Sequence, residues 1–257
     1  MPSYPRVNIL GVKVSVINMN QAIDQILTWI CERNPAYVCL APAHAIMDCY
    51  QQPGLRNIYA KSGLTTPDGM SIVWLLKLHG YPHVNRVYGP DLLQEVCKTS
   101  KSFPIRHYFY GGGPGVTDEL VDRLKSKFPW LEVAGTCSPP FRELTTEEDI
   151  KVIRQIKSAK PDIVWVGLGS PRQEIWMASH VNKLDVPVMI GVGAAFDFLS
   201  GKKPQAPVWM QKIGLEWFYR LLTEPKRLWR RYIQYPKFVI LVLLQSLGLL
   251  QFKEDDQ

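Results

Sequence analysis

Asp68, in the run Thr65-Thr66-Pro67-Asp68-Gly69, is the carboxylate whose setting best suits chemistry. A short β-prone stretch (64–66) precedes it and a helix-prone stretch (70–78) follows. Spacing alone gives it two roles: helix N-cap, or general base at the carboxyl edge of a sheet, taking a proton from an attacking hydroxyl. Arg86 and Asp91, in Arg86-Val87-Tyr88-Gly89-Pro90-Asp91, form a second polar knot, and Asp91 equally fits the cap of a helix opening at Pro90. Three glycine-rich turns complete the set. In Gly111-Gly112-Gly113-Pro114-Gly115, bare backbone can approach a phosphate at a helix N-terminus. It is a poor dinucleotide fingerprint, because Val116 stands where GxGxxG needs glycine, and no Lys-Ser or Lys-Thr follows to make a Walker A loop. Gly167-Leu168-Gly169-Ser170-Pro171 leads into Arg172, Gln173 and Glu174, which can reach a nucleobase, ribose or phosphate; an acidic residue in a first helical turn is also common for structural reasons. Gly191-Val192-Gly193 is the third.

No metal-ligand pattern accompanies these residues. The five histidines (His44, His79, His83, His107, His180) are scattered, and the two acid-x-acid triplets, 147–149 and 254–256, do not follow strands. This favours a diphosphate held by arginines and helix termini, with no cofactor and no metal. Five cysteines (Cys31, Cys39, Cys49, Cys97, Cys137) without a CxxC read as buried free thiols in a reducing compartment. The opening MPSYPRVNIL lacks the basic start and long apolar run of a secretory leader.

The elements that must position these groups follow from periodicity. Residues 7–10 and 12–17 flank Gly11 as a hairpin, and Ala22, Ile23, Ile26, Leu27 and Ile30 have helical spacing. Strands are then expected at 37–40, 64–66, 107–110, 131–134, 163–166 and 188–192. Helices are expected from Pro42, over 70–78, from Pro90, and over 115–128 and 146–158. Strand alternating with helix implies βαβ units and a mostly parallel, Rossmann-like α/β sheet covered on both faces. Ligands in such sheets bind beyond the carboxyl ends of the strands, and all three glycine turns fall there.

Charge is unevenly spread. The 257-residue chain has a formal net charge of +7. Between positions 202 and 237 there are nine basic residues against Glu216 and Glu224, so this segment holds the whole excess. It suits a local anionic partner such as lipid headgroups, a diphosphate or nucleic acid, or else a solvated basic face. Pro225 is expected to open a helix with Arg227, Arg230 and Arg231 on one face and Trp229, Tyr232 and Ile233 on another. Pro236 is expected to interrupt it, and the apolar run 238–250 is too short to cross a bilayer. That run lies on a membrane, completes the core or forms a dimer interface. Residues 1–205 are thus read as an α/β nucleotide-binding domain and 206–257 as a C-terminal helical appendage.

Six motifs in order resemble the WecG/TagA/CpsF family of glycosyltransferases: Thr66-Pro67-Asp68-Gly69-Met70, Arg86-Val87-Tyr88-Gly89-Pro90-Asp91-Leu92, Tyr110-Gly111-Gly112-Gly113, the stretch 166–174, the stretch 191–197, and Gly214-Leu215-Glu216-Trp217-Phe218-Tyr219-Arg220-Leu221. The resemblance runs from about Val7 to Tyr232. It implies metal-free, inverting transfer from a UDP-sugar, often of N-acetylmannosamine, to a polyprenyl-diphosphate-linked sugar in cell-surface polymer synthesis. It implies no nucleic-acid partner, a cytoplasmic protein peripheral on the inner membrane face, and leaves homo-oligomers open. By the same resemblance Asp68 is the base, Arg86 a substrate-site arginine, and Gln173 the glutamine of the Pro-x-Gln-Glu motif. Gly111, Gly112, Gly113, Gly169, Pro171 and Glu174 hold the nucleotide, and Arg220, Arg227 and Arg230 or Arg231 close over the diphosphate. His44 stands where many members have asparagine, near donor or acceptor sugar, and Gln205-Ala206-Pro207 replaces an Arg-Ala-Pro. A nucleotide-cofactor oxidoreductase and a non-catalytic membrane adaptor are the competing readings.

Overall fold

The structure is a computed structural model and describes residues 4–252. The first three residues of the opening run and the acidic triplet 254–256 lie outside the described residues.

The chain opens with an antiparallel hairpin, β1 (Arg6–Ile9) and β2 (Val12–Ser15). Leu10 and Gly11 at its tip both have positive φ (51° and 88°), as a two-residue turn matching the strand twist requires. Helix α1 (Met19–Glu32) starts at a capping box made by Asn18 and Gln21. Then come β3 (Ala36–Leu40), α2 (Ala43–Gln51), α3 (Pro53–Ala60), β4 (Leu64–Thr66), α4 (Met70–Leu78) and α5 (Gly89–Thr99). Next are β5 (Arg106–Gly111), α6 (Val116–Lys127), β6 (Glu132–Cys137), α7 (Thr146–Ala159), β7 (Ile163–Gly167) and α8 (Arg172–His180). The remaining elements are β8 (Val188–Gly191), α9 (Ala195–Leu199), α10 (Val208–Lys212), α11 (Glu216–Thr223), α12 (Pro225–Tyr232) and α13 (Tyr235–Ser246).

Strands β3 to β8 form one parallel six-stranded sheet in the order β4-β3-β8-β7-β5-β6. Both faces of the inner strands are buried, so β3, β7 and β8 are nearly continuous apolar runs rather than alternating. Val164 and Val166 of β7 enter the apolar layer beneath α2, α3, α4 and α8. Ile163 and Trp165 enter the opposite layer, with α1, α5, α6 and α9.

Four expectations are corrected. The interruption expected at Pro236 falls at 233–234, between α12 and α13, and Pro236 sits in the first turn of α13, where its missing N–H costs nothing. That helix ends at Ser246 rather than 250. Of the aromatic face expected on α12, Tyr232 turns into the protein, whereas Trp229 and Ile233 are exposed. Among the thiols, Cys39, Cys49 and Cys97 are buried, but Cys31 is exposed and Cys137 half-buried.

The C-terminal helices bind back onto the body. Phe238 and Val242, one turn apart on α13, are buried in the layer containing α2. Gln245 holds the hairpin tip, donating to the Asn8 carbonyl and accepting from the Leu10 N–H, both at 2.9 Å. The opposite face of α13, with Val239, Ile240 and Leu243, is exposed and apolar. The core-packing role and a free apolar face therefore coexist on one helix.

Candidate active site

Asp68 follows β4 directly, at the carboxyl edge of the sheet, and Gly69 rather than Asp68 caps α4. The helix-capping role is thus not the one it plays. Arg86 reaches it from the loop before α5. The Arg86 Nε–H donates to the Asp68 backbone carbonyl, and one guanidinium nitrogen lies 3.9 Å from its carboxylate. That same nitrogen binds Glu216 of α11 at 2.6 Å. The other Glu216 oxygen accepts from the Tyr88 hydroxyl at 2.9 Å, the Arg86 guanidinium stacks 3.8 Å over the Tyr88 ring, and Gln205 donates to the Tyr88 hydroxyl at 3.3 Å.

This arrangement leaves Asp68 basic. Arg86 donates to the Asp68 backbone carbonyl and to Glu216 rather than to the Asp68 carboxylate, one oxygen of which is buried without a hydrogen bond. Burial pushes its carboxyl up to about 6; Arg86 and Arg220 oppose the rise and Glu216 adds to it. A carboxylate with a value near the working pH is a competent general base. Glu216 was not picked out from the sequence as a site residue. Its signals there are its place in the motif 214–221 and an acid within an otherwise basic segment; neither names its partner, which lies 130 positions away.

Asp68 borders a cleft of about 480 Å³ beyond the carboxyl ends of β3, β5, β7 and β8. Gly112 and Gly113 line it after β5, Gly169, Pro171, Gln173 and Glu174 after β7, and Gly193 after β8. Gly111 stands behind them: a Cβ there would lie 2.5 Å from the Gly167 backbone, so two strands could not approach so closely with any other residue. Gln173 is buried under the third turn, donating to Glu174 at 2.9 Å, with its own carbonyl oxygen unpartnered.

The C-terminal helices close the cleft with Arg220, Arg227 and Arg231. Arg227 pairs with Glu224 at 2.7 Å, and Lys203 bridges Glu224 and Asp197 at 3.0 and 2.9 Å. Arg231 donates to the Ser170 carbonyl at 3.4 Å. Arg220 is the least committed: it lies 5.4 Å over the Phe198 ring and its Nε is unpartnered. His44 also lines the cleft, and burial together with Arg231 and Arg220 keeps its ring neutral. Two expected residues are not brought here. Asp91 lies in the first turn of α5 off the cleft lining, and Arg230 is exposed, its guanidinium over the neighbouring Trp229 ring. A separate cavity of about 410 Å³, near Arg6, Trp29 and Tyr37, opens at the amino ends of β3 and β4, away from these groups.

The family model for the glycosyl transferase WecG/TagA/CpsF family matches residues 7–251, nearly the whole described chain. The chain belongs to this family. Among curated relatives, an N-acetylglucosaminyldiphosphoundecaprenol N-acetyl-beta-D-mannosaminyltransferase of Bacillus spizizenii is 32% identical over 84% of this chain and 82% of its own length. The protein of the same name in Bacillus subtilis is 32% identical over 74% and 72%, and that of Staphylococcus aureus 26% identical over 88% and 87%. As a glycosyltransferase of this family, the chain has its Asp-Gly aspartate at the meeting point of sheet and C-terminal helices, and one of those helices supplies its acidic neighbour.

The acidic neighbour has a measurable consequence. Glu216→Gln removes a charge that raises the Asp68 carboxyl and frees Arg86 to swing toward it, and both effects lower it. The acid limb of kcat/KM against pH is expected to move to lower pH, with a reduced plateau because a weaker base remains. An unmoved limb would mean that Glu216 only fastens α11 to the body.

Proposed function

We propose that the chain transfers a hexose, N-acetylmannosamine first among candidates, from a UDP-sugar to a polyprenyl-diphosphate-linked sugar, inverting the anomeric centre and using no metal. The observation that carries this reading is the pairing of one raised, buried carboxylate with a glycine-turn cleft closed by three arginines. Asp68 takes the acceptor hydroxyl proton as the new C–O bond forms. The bond from the anomeric carbon to the diphosphate oxygen breaks, and UDP leaves with the electron pair. Charge developing on the diphosphate meets Arg220, Arg227 and Arg231, stabilisation that acts in the transition state. The names of the relatives, with their undecaprenol-linked acceptor and β-mannosaminyl product, support the choice of substrates. Among the described residues no group of three or more His, Cys, Asp or Glu is placed to bind a metal.

The test is UDP release by detergent-solubilised protein across a panel of UDP-sugars, with EDTA, with and without N-acetylglucosaminyl-diphospho-undecaprenol. Acceptor-dependent release with one donor is expected. Release that stopped with EDTA would refute the metal-free arm, and release without need of acceptor would refute the transfer.

We further infer that the protein works on the inner face of the cell membrane, held there by its C-terminal helices. No described helix is long and apolar enough to cross a membrane. Trp209, Ile213, Trp229, Ile233, Ile240 and Leu243 are exposed, beside Lys212, Lys226, Arg230 and Lys237. Apolar and basic side chains together suit an anionic interface. Ile240→Asp with Leu243→Asp is expected to cut co-sedimentation with anionic vesicles by about tenfold or more, since each apolar group is worth roughly 1.5–3 kcal/mol on burial. Unchanged sedimentation would remove α13 from the contact.

A further inference from the structure

A second, smaller cavity of about 180 Å³ lies beside the cleft and shares Asp68, His44, Tyr88 and Arg220 with it. Asp68 therefore stands at a partition between two chambers. The two differ in chemistry. Glycine turns, Arg227 and Arg231 line only the cleft. The smaller chamber is walled by Trp74 of α4, Trp217 of α11, Tyr232 of α12, and Tyr235 and Phe238 of α13. The Trp217, Tyr232 and Tyr235 rings hold one another edge to face at centroid distances of 5.1 to 5.9 Å, so the walls are preformed. The unbonded carboxylate oxygen of Asp68 is buried where the chambers meet.

We propose that the aromatic chamber is the acceptor subsite, taking the pyranose of a lipid-linked acceptor while its isoprenoid tail leaves over the α4–α13 rim. This rests on the transfer proposed above. In a displacement with inversion, nucleophile and leaving group stand on opposite sides of the anomeric carbon. The glycine turns, Arg227 and Arg231 occupy the cleft side and Arg220 stands between the chambers, so the attacking hydroxyl reaches Asp68 from the other side. Aromatic walls with a few polar groups suit a sugar ring, whose C–H faces are apolar and whose hydroxyls are not. The rim explains the lipid. Trp74 and Val239 line the chamber and are also 48% and 54% exposed. One helical turn further out on the same faces stand Leu78 and Leu243, likewise exposed. Two apolar pairs, on the two helices that line the chamber at Trp74 and Val239, thus lead from it to the apolar C-terminal surface.

The test separates head from tail. Trp74→Ala and the filling variant Val239→Trp alter exposed rim residues, so both variants are expected to fold. Each should raise KM for N-acetylglucosaminyl-diphospho-undecaprenol at least tenfold, leave KM for the UDP-sugar within twofold, and Trp74→Phe should restore most of the loss. Leu78→Asp with Leu243→Asp should penalise the undecaprenyl acceptor but not a short-alkyl analogue, in detergent without vesicles. A rise in donor KM instead, or variants indistinguishable from wild type that turns over normally, would overturn the chamber and leave the transfer standing. No acceptor-dependent turnover by wild type with any donor would take down the transfer, and the chamber with it.

Discussion

Asp68→Asn is expected to lower turnover by about 10²- to 10⁴-fold, the range for losing a positioned general base, without unfolding the protein. The fold should in fact gain. Burial raises this carboxyl from 3.8 to about 6, so near pH 5 the native state binds more protons than the unfolded chain. Stability therefore falls as pH rises from about 4 to 6 and stays lower above it. By pH 7.5 the cost of the ionised group is of order 2–3 kcal/mol. Asparagine carries no such charge, and Arg86 keeps its 2.6 Å partner in Glu216. The variant should consequently unfold at equal or higher urea concentration than wild type at pH 7.5, with the difference vanishing near pH 4. Wild-type activity should rise with pH through about 6, where the base ionises. A folded variant that retained most wild-type turnover would falsify the assignment. One that failed to fold would mean that the carboxylate is a structural partner of Arg86 instead.

Much of this was legible in the sequence because it is local. The inner strands β3, β7 and β8 are short apolar runs with glycine or proline at or just beyond their ends, and the turns 111–115 and 167–171 must lie at carboxyl ends if strands and helices alternate. Asp68 could be located the same way. What periodicity could not resolve are relations between segments far apart. Helical spacing puts Arg227, Arg230 and Arg231 together, yet only Arg227 and Arg231 line the cleft, while Arg230 lies over the Trp229 ring. Asp91 shares a motif with Arg86, but the helix that begins at Gly89 carries it off the cleft lining. Glu216 reads as one acid among cations until α11 is laid across the loop bearing Arg86. The second chamber is invisible for the same reason, since its aromatic walls come mainly from α4 and the helices α11, α12 and α13.

Arg220→Ala is expected to reduce kcat by about 10²- to 10³-fold, the loss seen on removing one preorganised stabiliser of developing charge. Its Nε is buried without a hydrogen bond, and among the described residues it has no carboxylate within salt-bridge distance, so it can turn donors to a diphosphate. Arg227 is already partly neutralised by Glu224, and Arg227→Ala should cost less. Donor KM should change less than kcat, because charge on the leaving oxygens grows mainly in the transition state. Arg220→Lys should recover only part of the rate, since an ammonium lacks the planar fork that matches phosphate oxygens. The pH profile gives an independent check. Arg220 lowers the Asp68 carboxyl and Glu216 raises it, so Arg220→Ala should move the acid limb to higher pH and Glu216→Gln to lower pH. Opposite shifts from two residues of the same helix would tie α11 to the base itself. Equal shifts, or a loss confined to donor KM, would make α11 a lid that binds substrate without acting on the reacting bond.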